Sequence, residues 1–306
     1  MTQQTQILED ERYHPIFNHG FVGLIDTMGD DSSIVQAARV SYGIGTKKVS
    51  EDRGLIRYLI RHLHTTPIEM IEFKFHCKMP IFVARQWIRH RTANVNEYSG
   101  RYSVMVDEFY VPELEHILPQ STTNNQGRGG EMSLLEKEAH RDRIIRANER
   151  CYAEYQKLLI EEKTVMNPET FEFFEGLSRE MARGVLNVNN YTEWYWKIDL
   201  HNLFHFLMLR MDSHAQYEIR VFANTMYELI KPKVPLAAEA FEDFILNSER
   251  MSRMEMDLLR YMTIQGRSWN AMVAMIGGEE GEKGVGKHFG LTVRELIEFK
   301  AKFEIE

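Results

Sequence analysis

Apolar and polar positions along the chain switch between two periods, and each switch marks an element. Residues 21–26, F-V-G-L-I-D, form a short apolar run closed by T-M-G-D-D, which predicts a strand. Asp31 or Ser32 then caps a helix through I-V-Q-A-A-R-V at 34–40. Leu55, Leu59 and Leu63, with Ile56 and Ile60, recur at helical spacing, so 51–64 reads as a helix that stops at H-T-T-P, 64–67. Between 73 and 79 the period falls to two: Phe73, Phe75, Cys77 and Met79 alternate with Lys74, His76 and Lys78. Pro80 suits the first turn of a helix from Ile81 to Arg91, and V-M-V-D-E-F-Y-V at 104–111 predicts another strand.

In the second half, 119–131 is polar and Gly-rich and reads as an exposed, mobile loop. Helices are expected at about 132–163 and 168–185. Y-T-E-W-Y-W-K-I at 191–198 is strand-like, and L-H-N-L-F-H-F-L-M-L at 200–209 is an apolar helix. Ser213 followed by Gln216 has the spacing of a capping box and predicts a helix starting there. Beyond K-P-K-V-P at 231–235 the pattern is helical and charged to the end, with Thr292 and Glu295 as a second capping box. The expectation is an α+β chain with a catalytic domain at 15–240 and a helical C-terminal extension at 245–306.

Composition narrows the class. The chain has 306 residues, 43% hydrophobic and 27% charged, enough for a core that needs no cross-links. Cys77 and Cys151 make no disulfide framework. The N-terminal segment has no basic stretch followed by an apolar one, and no apolar run approaches membrane-spanning length. A cytoplasmic protein without a membrane partner is expected. The net charge of -8 disfavours nucleic acid as the main partner.

Against that acidic total, R-H-R-T-A-N-V-N-E-Y-S-G-R-Y at 89–102 stands out, with Arg89, His90, Arg91 and Arg101 inside thirteen positions. Cations near a helix C-terminus complement its dipole, each by about 0.3–1 kcal/mol. That accounts poorly for three in a row, since adjacent cations repel. Guanidinium forks bind phosphate bidentately, so an oligo-anionic ligand accounts for the set better. Gly100 lets backbone approach such a ligand, and the neighbouring hydroxyl and amide groups suit a nucleotide pocket.

R-H-R at 89–91, seven further residues and then Ser99 resembles the signature of the flavin-dependent thymidylate synthases, the ThyX family. A-A-R-V-S at 37–41, H-T-T-P-I-E at 64–69, P-I-F-V-A-R at 80–85 and L-R-M-D-S-H-A-Q at 209–216 are similar to family segments in the same order. The resemblance spans about 20–240 and leaves out the first ~15 residues, the 119–131 loop and the tail after about 245. It implies a ThyX-like mixed sheet with packed helices. It implies FAD held at Ser41, Thr66, Arg89, His90, Arg91, Glu97, Asp199, His201 and His205. It implies deoxyuridylate (dUMP) held at Gln86, Trp87, Ile88 and Arg89, at Glu97, Tyr98, Ser99, Gly100 and Arg101, and at Arg183 and Arg210. Arg210 is then the catalytic cation, which polarises the pyrimidine. Methylene-tetrahydrofolate and NADPH are the implied co-substrates, and a homotetramer with shared active sites is the implied assembly.

Other patterns have plainer readings. His201 and His205 have a metal-compatible i, i+4 spacing, but Asn202 stands where a zincin motif needs Glu, and no third ligand is evident. The aromatics from Tyr191 to Trp196 serve either core packing or stacking on a flavin or folate. The glycines at 277, 278, 284 and 286 lack the strand–GxGxxG–helix context. Cys77 shares an apolar strand face, Cys151 lies in a helix remote from the motifs, and Ser99 has no adjacent general base. No protein nucleophile is therefore expected. Two other functions stay open on the residues alone: a nucleotide-binding regulatory protein without turnover, and an RNA-binding protein using the Arg-rich helix end.

Overall fold

The alternation at 73–79 builds the centre of the protein. A computed structural model describes residues 10–40, 52–122, 126–159, 166, 168–170 and 175–305. Two compact units result, Met1–Phe244 and Ile245–Glu306. In the first, the elements run β1 (Tyr13–Ile16), β2 (Gly20–Met28), α1 (Asp31–Val40), α2 (Asp52–Arg61), β3 (Glu72–Pro80), α3 (Ile81–Trp87) and β4 (Asn94–Glu97). They continue with α4 (Leu134–Leu159), α5 (Arg179–Ala182), β5 (Tyr191–Asp199), α6 (Leu200–Arg210), α7 (Tyr217–Ile230) and α8 (Pro235–Phe241). The five strands form one sheet in the order β1-β2-β3-β5-β4. Every pairing is antiparallel, so the α+β class holds but the strand directions are not mixed.

Cross-strand register explains the core. Phe73 lies opposite Ile198, Phe75 opposite Trp196 and Cys77 opposite Trp194. All six are almost fully buried on one face of the sheet. The other face is covered too. His76 and Lys78 are buried there, His76 bonded to Tyr13 and Glu193 and Lys78 ion-paired with Glu108. Gly20, at the start of β2 between β1 and β3, has no room for a side chain, since a Cβ there would lie 2.7 Å from the Ile16 carbonyl oxygen and 2.8 Å from that of Lys78.

Several elements depart from the sequence reading. Asp30, not Asp31 or Ser32, bonds back at the start of α1, accepting from Ser32 N at 2.8 Å. Asp31 instead accepts from Leu236 N (2.7 Å) and Ala237 N (3.0 Å), so it caps α8 some two hundred residues away. A cap of this kind is worth about 1 kcal/mol. α2 ends at Arg61, because Leu63 is left-handed (φ 57°) and exposed rather than packed; residue 51 lies outside the described residues.

Residues 104–111 form no strand; a single bridge, Phe109 to Asn190, is all that pairs. The strand is β4, in the stretch read as loop. Helix 132–163 is realised as α4, with 160–163 outside the described residues. Of 168–185 only 179–185 is helical, as α5 and a 3₁₀ turn at Arg183–Val185, with 171–174 undescribed. The Ser213–Gln216 box does not form: α7 starts at Tyr217 and Gln216 makes no capping bond.

The 119–131 loop is anchored rather than loose. Ser121 N donates to Gly127 O and Gly129 N to Pro119 O, and Arg128 reaches the buried Glu218; residues 123–125 lie outside the described residues.

The second unit carries its own core. α9 (Arg253–Gln265), α10 (Trp269–Met272), α11 (Glu282–Phe289) and α12 (Val293–Lys302) bury Leu258, Trp269, Met272, Val285, Leu291, Leu296 and Phe299 together. Both Ser252–Glu255 and Thr292–Glu295 form capping boxes; sequence reading found the second and missed the first. A core of its own predicts independent folding. A chain ending at Phe244 should melt cooperatively by circular dichroism and keep the sheet signal; a broad, non-cooperative transition would show that the two cores are one.

Candidate functional site

The cation run owes its position to its neighbour Trp87. That side chain is wholly buried, stacked on Phe206 at 5.0 Å and edge-on to Trp194 (5.4 Å) and Trp196 (5.3 Å). α3 therefore cannot roll, and it closes with three-residue bonds, Arg89 N to Gln86 O and His90 N to Trp87 O. The expected helix to Arg91 thus ends at Trp87, and Arg89, His90 and Arg91 lie on the turn between α3 and the edge strand β4. β4 is then held along β5, with Asn96 opposite Tyr195 and Glu97 opposite Trp194.

The structure gathers the implied site residues into separate groups. In the first, Arg210, at the end of α6, donates from Nε to His90 Nε2 (3.2 Å) and from Nη2 to the Gln86 carbonyl (3.5 Å). The His90 ring lies edge-on to Phe206 (4.9 Å) and 5.8 Å from the ring of His205. Since Nε2 accepts, His90 carries its proton on Nδ1 and is neutral. Burial, then the Arg210 charge and then His205, push its pKa down to about 4. Burial also lowers Arg210 from its ordinary value, but a guanidinium stays charged at neutral pH.

In the second group, Ser99 Oγ accepts from Arg101 N (3.3 Å) and Arg101 pairs with Glu180. Gly100 packs against Arg183: a Cβ there would meet Arg183 Cδ at 3.3 Å and Met105 Sδ at 2.8 Å. Tyr98 ties its hydroxyl to the Val104 carbonyl, and Glu97 accepts from Thr192 Oγ1 at 2.6 Å. Thr66 lies elsewhere, in a cavity of about 730 Å³ shared with Ala37, Tyr58, His64 and Met70. Asp199 caps α6 through Asn202 N (2.9 Å), and Leu200 N bonds to Ile71 O, which brings the start of α6 and His201 to the segment after Thr66. Ser41 lies outside the described residues. Among the described residues no hydrogen bond joins these groups directly.

One implied residue presents no side chain to a ligand. Trp87 is core, so only its backbone is available to a ligand, whereas Ile88 beside it is exposed. Arg85, Arg89 and Arg91 are exposed and pair with no carboxylate among the described residues, unlike Arg53 and Arg57, which both reach Glu239. Three unpaired guanidiniums in an acidic chain suit the phosphates of a nucleotide cofactor and substrate. Cys77 is fully buried and desolvation raises its thiol well above the usual value, the opposite of an activated nucleophile. His201 and His205 are not in a metal-like cluster among the described residues; Glu113, Glu115 and His116 are, and they are surface groups.

Sequence reasoning missed one arrangement. Gln86 donates to Gln216 Oε1, and Gln216 Nε2 donates to Glu218 Oε2 (2.8 Å). Gln216 was visible in the L-R-M-D-S-H-A-Q segment, but nothing in the pattern marked Arg128 as the partner of Glu218.

Comparison with known proteins adds identity to this geometry. The family model described as "Thymidylate synthase complementing protein" matches residues 23–236. The chain is 52% identical over 278 residues to the flavin-dependent thymidylate synthase of Ruegeria pomeroyi, covering 87% of this chain and 88% of that protein. It is 56% identical over 255 residues to the flavin-dependent thymidylate synthase of Dictyostelium discoideum, covering 80% and 78%. Among solved structures, the UMP/dUMP methylase PolB of Streptomyces cacaoi, bound with 5-Br dUMP, superposes with a TM-score of 0.65 at 32% identity, covering 76% of this chain and 99% of that one.

The electrostatics of His90 are directly measurable. The unfolded chain protonates this imidazole near 6.5, while the folded chain resists until about 4. Folding stability from this group is therefore intact above about pH 6.5 and is lost progressively as pH falls toward 4. In the ligand-free protein, NMR titration of His90 should give a midpoint below 5, and Arg210→Ala should move it upward. A wild-type midpoint near 6.5 would place His90 in water, away from Arg210.

Proposed function

The chain belongs to the flavin-dependent thymidylate synthase family, and on that premise we propose that it methylates dUMP to dTMP with FAD as the flavin, methylene-tetrahydrofolate as carbon donor and NADPH as reductant. The observation that carries this reading is the half-buried, permanently charged Arg210, oriented by neutral His90 and the Gln86 carbonyl beside three arginines that pair with no carboxylate among the described residues.

The chemistry asked of the chain follows from the substrate. Methylating uracil at C5 needs electron density at that carbon, and negative charge develops on the ring oxygens as it accumulates. Arg210 is the group to stabilise that charge. Its two anchors hold the guanidinium plane, and the neutral imidazole adds no competing cation. Bound FAD, once reduced by NADPH, supplies the hydride that turns the transferred methylene into methyl. Arg89 and Arg91 hold cofactor phosphates, with His90, Thr66, Ser41, Glu97, Asp199, His201 and His205 completing that subsite. Gln86, the backbone of Trp87 and Ile88, Glu97 to Arg101 and Arg183 hold dUMP. Neither cysteine attacks substrate; Ser99 positions it.

We place the whole site in residues 15–240, leave the extension at 245–306 outside it, and expect a cytoplasmic homotetramer whose sites combine several subunits. The separation of the site groups within one chain supports that assembly. Light scattering should give four times the chain mass, and a fully active monomer would refute shared sites.

The purified protein should be yellow, bleach with NADPH and regain colour when dUMP and methylene-tetrahydrofolate are added. A colourless protein that still binds dUMP would point instead to the regulatory reading. Arg210→Ala should retain FAD by absorbance and lose roughly 10²–10³-fold in turnover; near-normal turnover would remove Arg210 from the reaction.

A further inference from the structure

Glu218 is nearly inaccessible, yet it sits on the first turn of α7 with four hydrogen bonds to its two oxygens. Arg128 Nη2 reaches Oε1 (2.7 Å) and Oε2 (2.8 Å), Tyr110 Oη donates to Oε1 (3.1 Å), and Gln216 Nε2 donates to Oε2 (2.8 Å). A carboxylate has about four acceptor positions, so this one is saturated. Desolvation pushes its pKa up, but the Arg128 guanidinium and the Gln216 amide outweigh that, and the net displacement is downward. The group is ionised and can only accept.

That single fact sets the polarity of everything connected to it. Gln216 must turn its NH₂ toward Glu218, so its Oε1 faces the other way. Gln86 then must donate its own NH₂ to that oxygen, as it does. What remains of the Gln86 side chain is its Oε1 and one N–H, beside the backbone carbonyl that receives Arg210. An amide can flip end for end at little steric cost, and here the flip is forbidden by a charge two residues removed.

We propose that Glu218 is a positioning residue which, through Gln216, fixes the amide orientation of Gln86 toward the substrate, with Arg128 from the 119–131 loop holding the carboxylate in place. The inference rests on the reading above that Gln86 touches dUMP, and it assigns functions to Arg128, Gln216 and Glu218 that the site residues carried over from the family do not include. Glu218→Gln is the informative change. It keeps the shape but replaces one acceptor oxygen by a donor, so Gln216 and then Gln86 are free to reverse. Gln216→Met cuts the relay at its middle and leaves the carboxylate its bonds from Arg128 and Tyr110.

The test uses full-length, FAD-loaded protein and two readouts, the dUMP dissociation constant by titration calorimetry and the separate steady-state kcat and KM. Losing one oriented hydrogen bond should weaken dUMP about fivefold to tenfold. Glu218→Gln and Gln216→Met should each produce that loss, with KM for dUMP rising more than kcat falls. Gln86→Ala should weaken dUMP at least as much, and adding Glu218→Gln to it should cost nothing further, the signature of two residues acting through one contact. A full additional loss in the double variant would make Glu218 merely structural and overturn the inference. So would unchanged dUMP affinity in Glu218→Gln when Gln86→Ala weakens it. If Gln86→Ala leaves dUMP binding intact, the premise fails and the inference with it, whatever the flavin assays show. Should Glu218→Gln not fold, Gln216→Met alone and in the Gln86→Ala background decides by the same comparison.

Discussion

Burial of Trp87 is the constraint from which the rest of the site follows. An indole packed simultaneously against Trp194, Trp196, Phe206 and Phe222 ties α3, β5, α6 and α7 to one point. Each such aromatic pair adds about 0.5–1.5 kcal/mol beyond area burial. The position is bought at some polar expense, since Nε1 of both Trp87 and Trp194 lacks a hydrogen-bond partner among the described residues. Two residues separate Trp87 from His90, whose ring leans on the same Phe206. A charged turn is thereby built rigidly onto an apolar core, and its guanidiniums need no salt bridges to hold their place.

Some exposed cations of the first unit are matched with anions, Arg53 and Arg57 with Glu239, Arg101 with Glu180 and Lys231 with Glu242, while others such as Arg141 and Arg143 have no such partner among the described residues. Pairs of this kind contribute about 0–1 kcal/mol and cost little to omit. Arg85, Arg89 and Arg91 have none among the described residues. Stability loses almost nothing, and the exposed guanidinium donors stay uncommitted to carboxylates among the described residues.

Much of this was readable from spacing, and the failures have physical causes. The β3 alternation placed Phe73, Phe75 and Cys77 on one face because period two admits no other arrangement. The R-H-R run was found because charge in an acidic chain is conspicuous. The end of α3 was misread because composition continues helically to Arg91, whereas packing of Trp87 tightens the turn before it. β4 was invisible: N-V-N-E has no apolar alternation, and it is a strand only because β5 offers it an edge. Asp31 looked like a local cap but serves α8, a tertiary contact that no window of sequence contains. The partnership of Arg128 with Glu218 across ninety residues was hidden for the same reason.

The two anchors of Arg210 divide the labour of the site. A guanidinium cannot be switched by protonation near neutral pH, so whatever tunes it must act through its surroundings. His90 is held neutral by burial and by Arg210 itself, so the nitrogen that accepts from Arg210 stays unprotonated across the physiological range. Gln86 gives its backbone oxygen to Arg210 and its amide to Gln216, so the cation and the amide are registered to the same turn of α3. Polarity on one side comes from a depressed imidazole, and on the other from a saturated carboxylate. The imidazole is depressed by burial beside Phe206, whereas the carboxylate stays ionised against its burial through Arg128 and Gln216. On the His90 side the electrostatics are thus a consequence of packing, and a substitution that loosens that packing disturbs charge, orientation and proton position together.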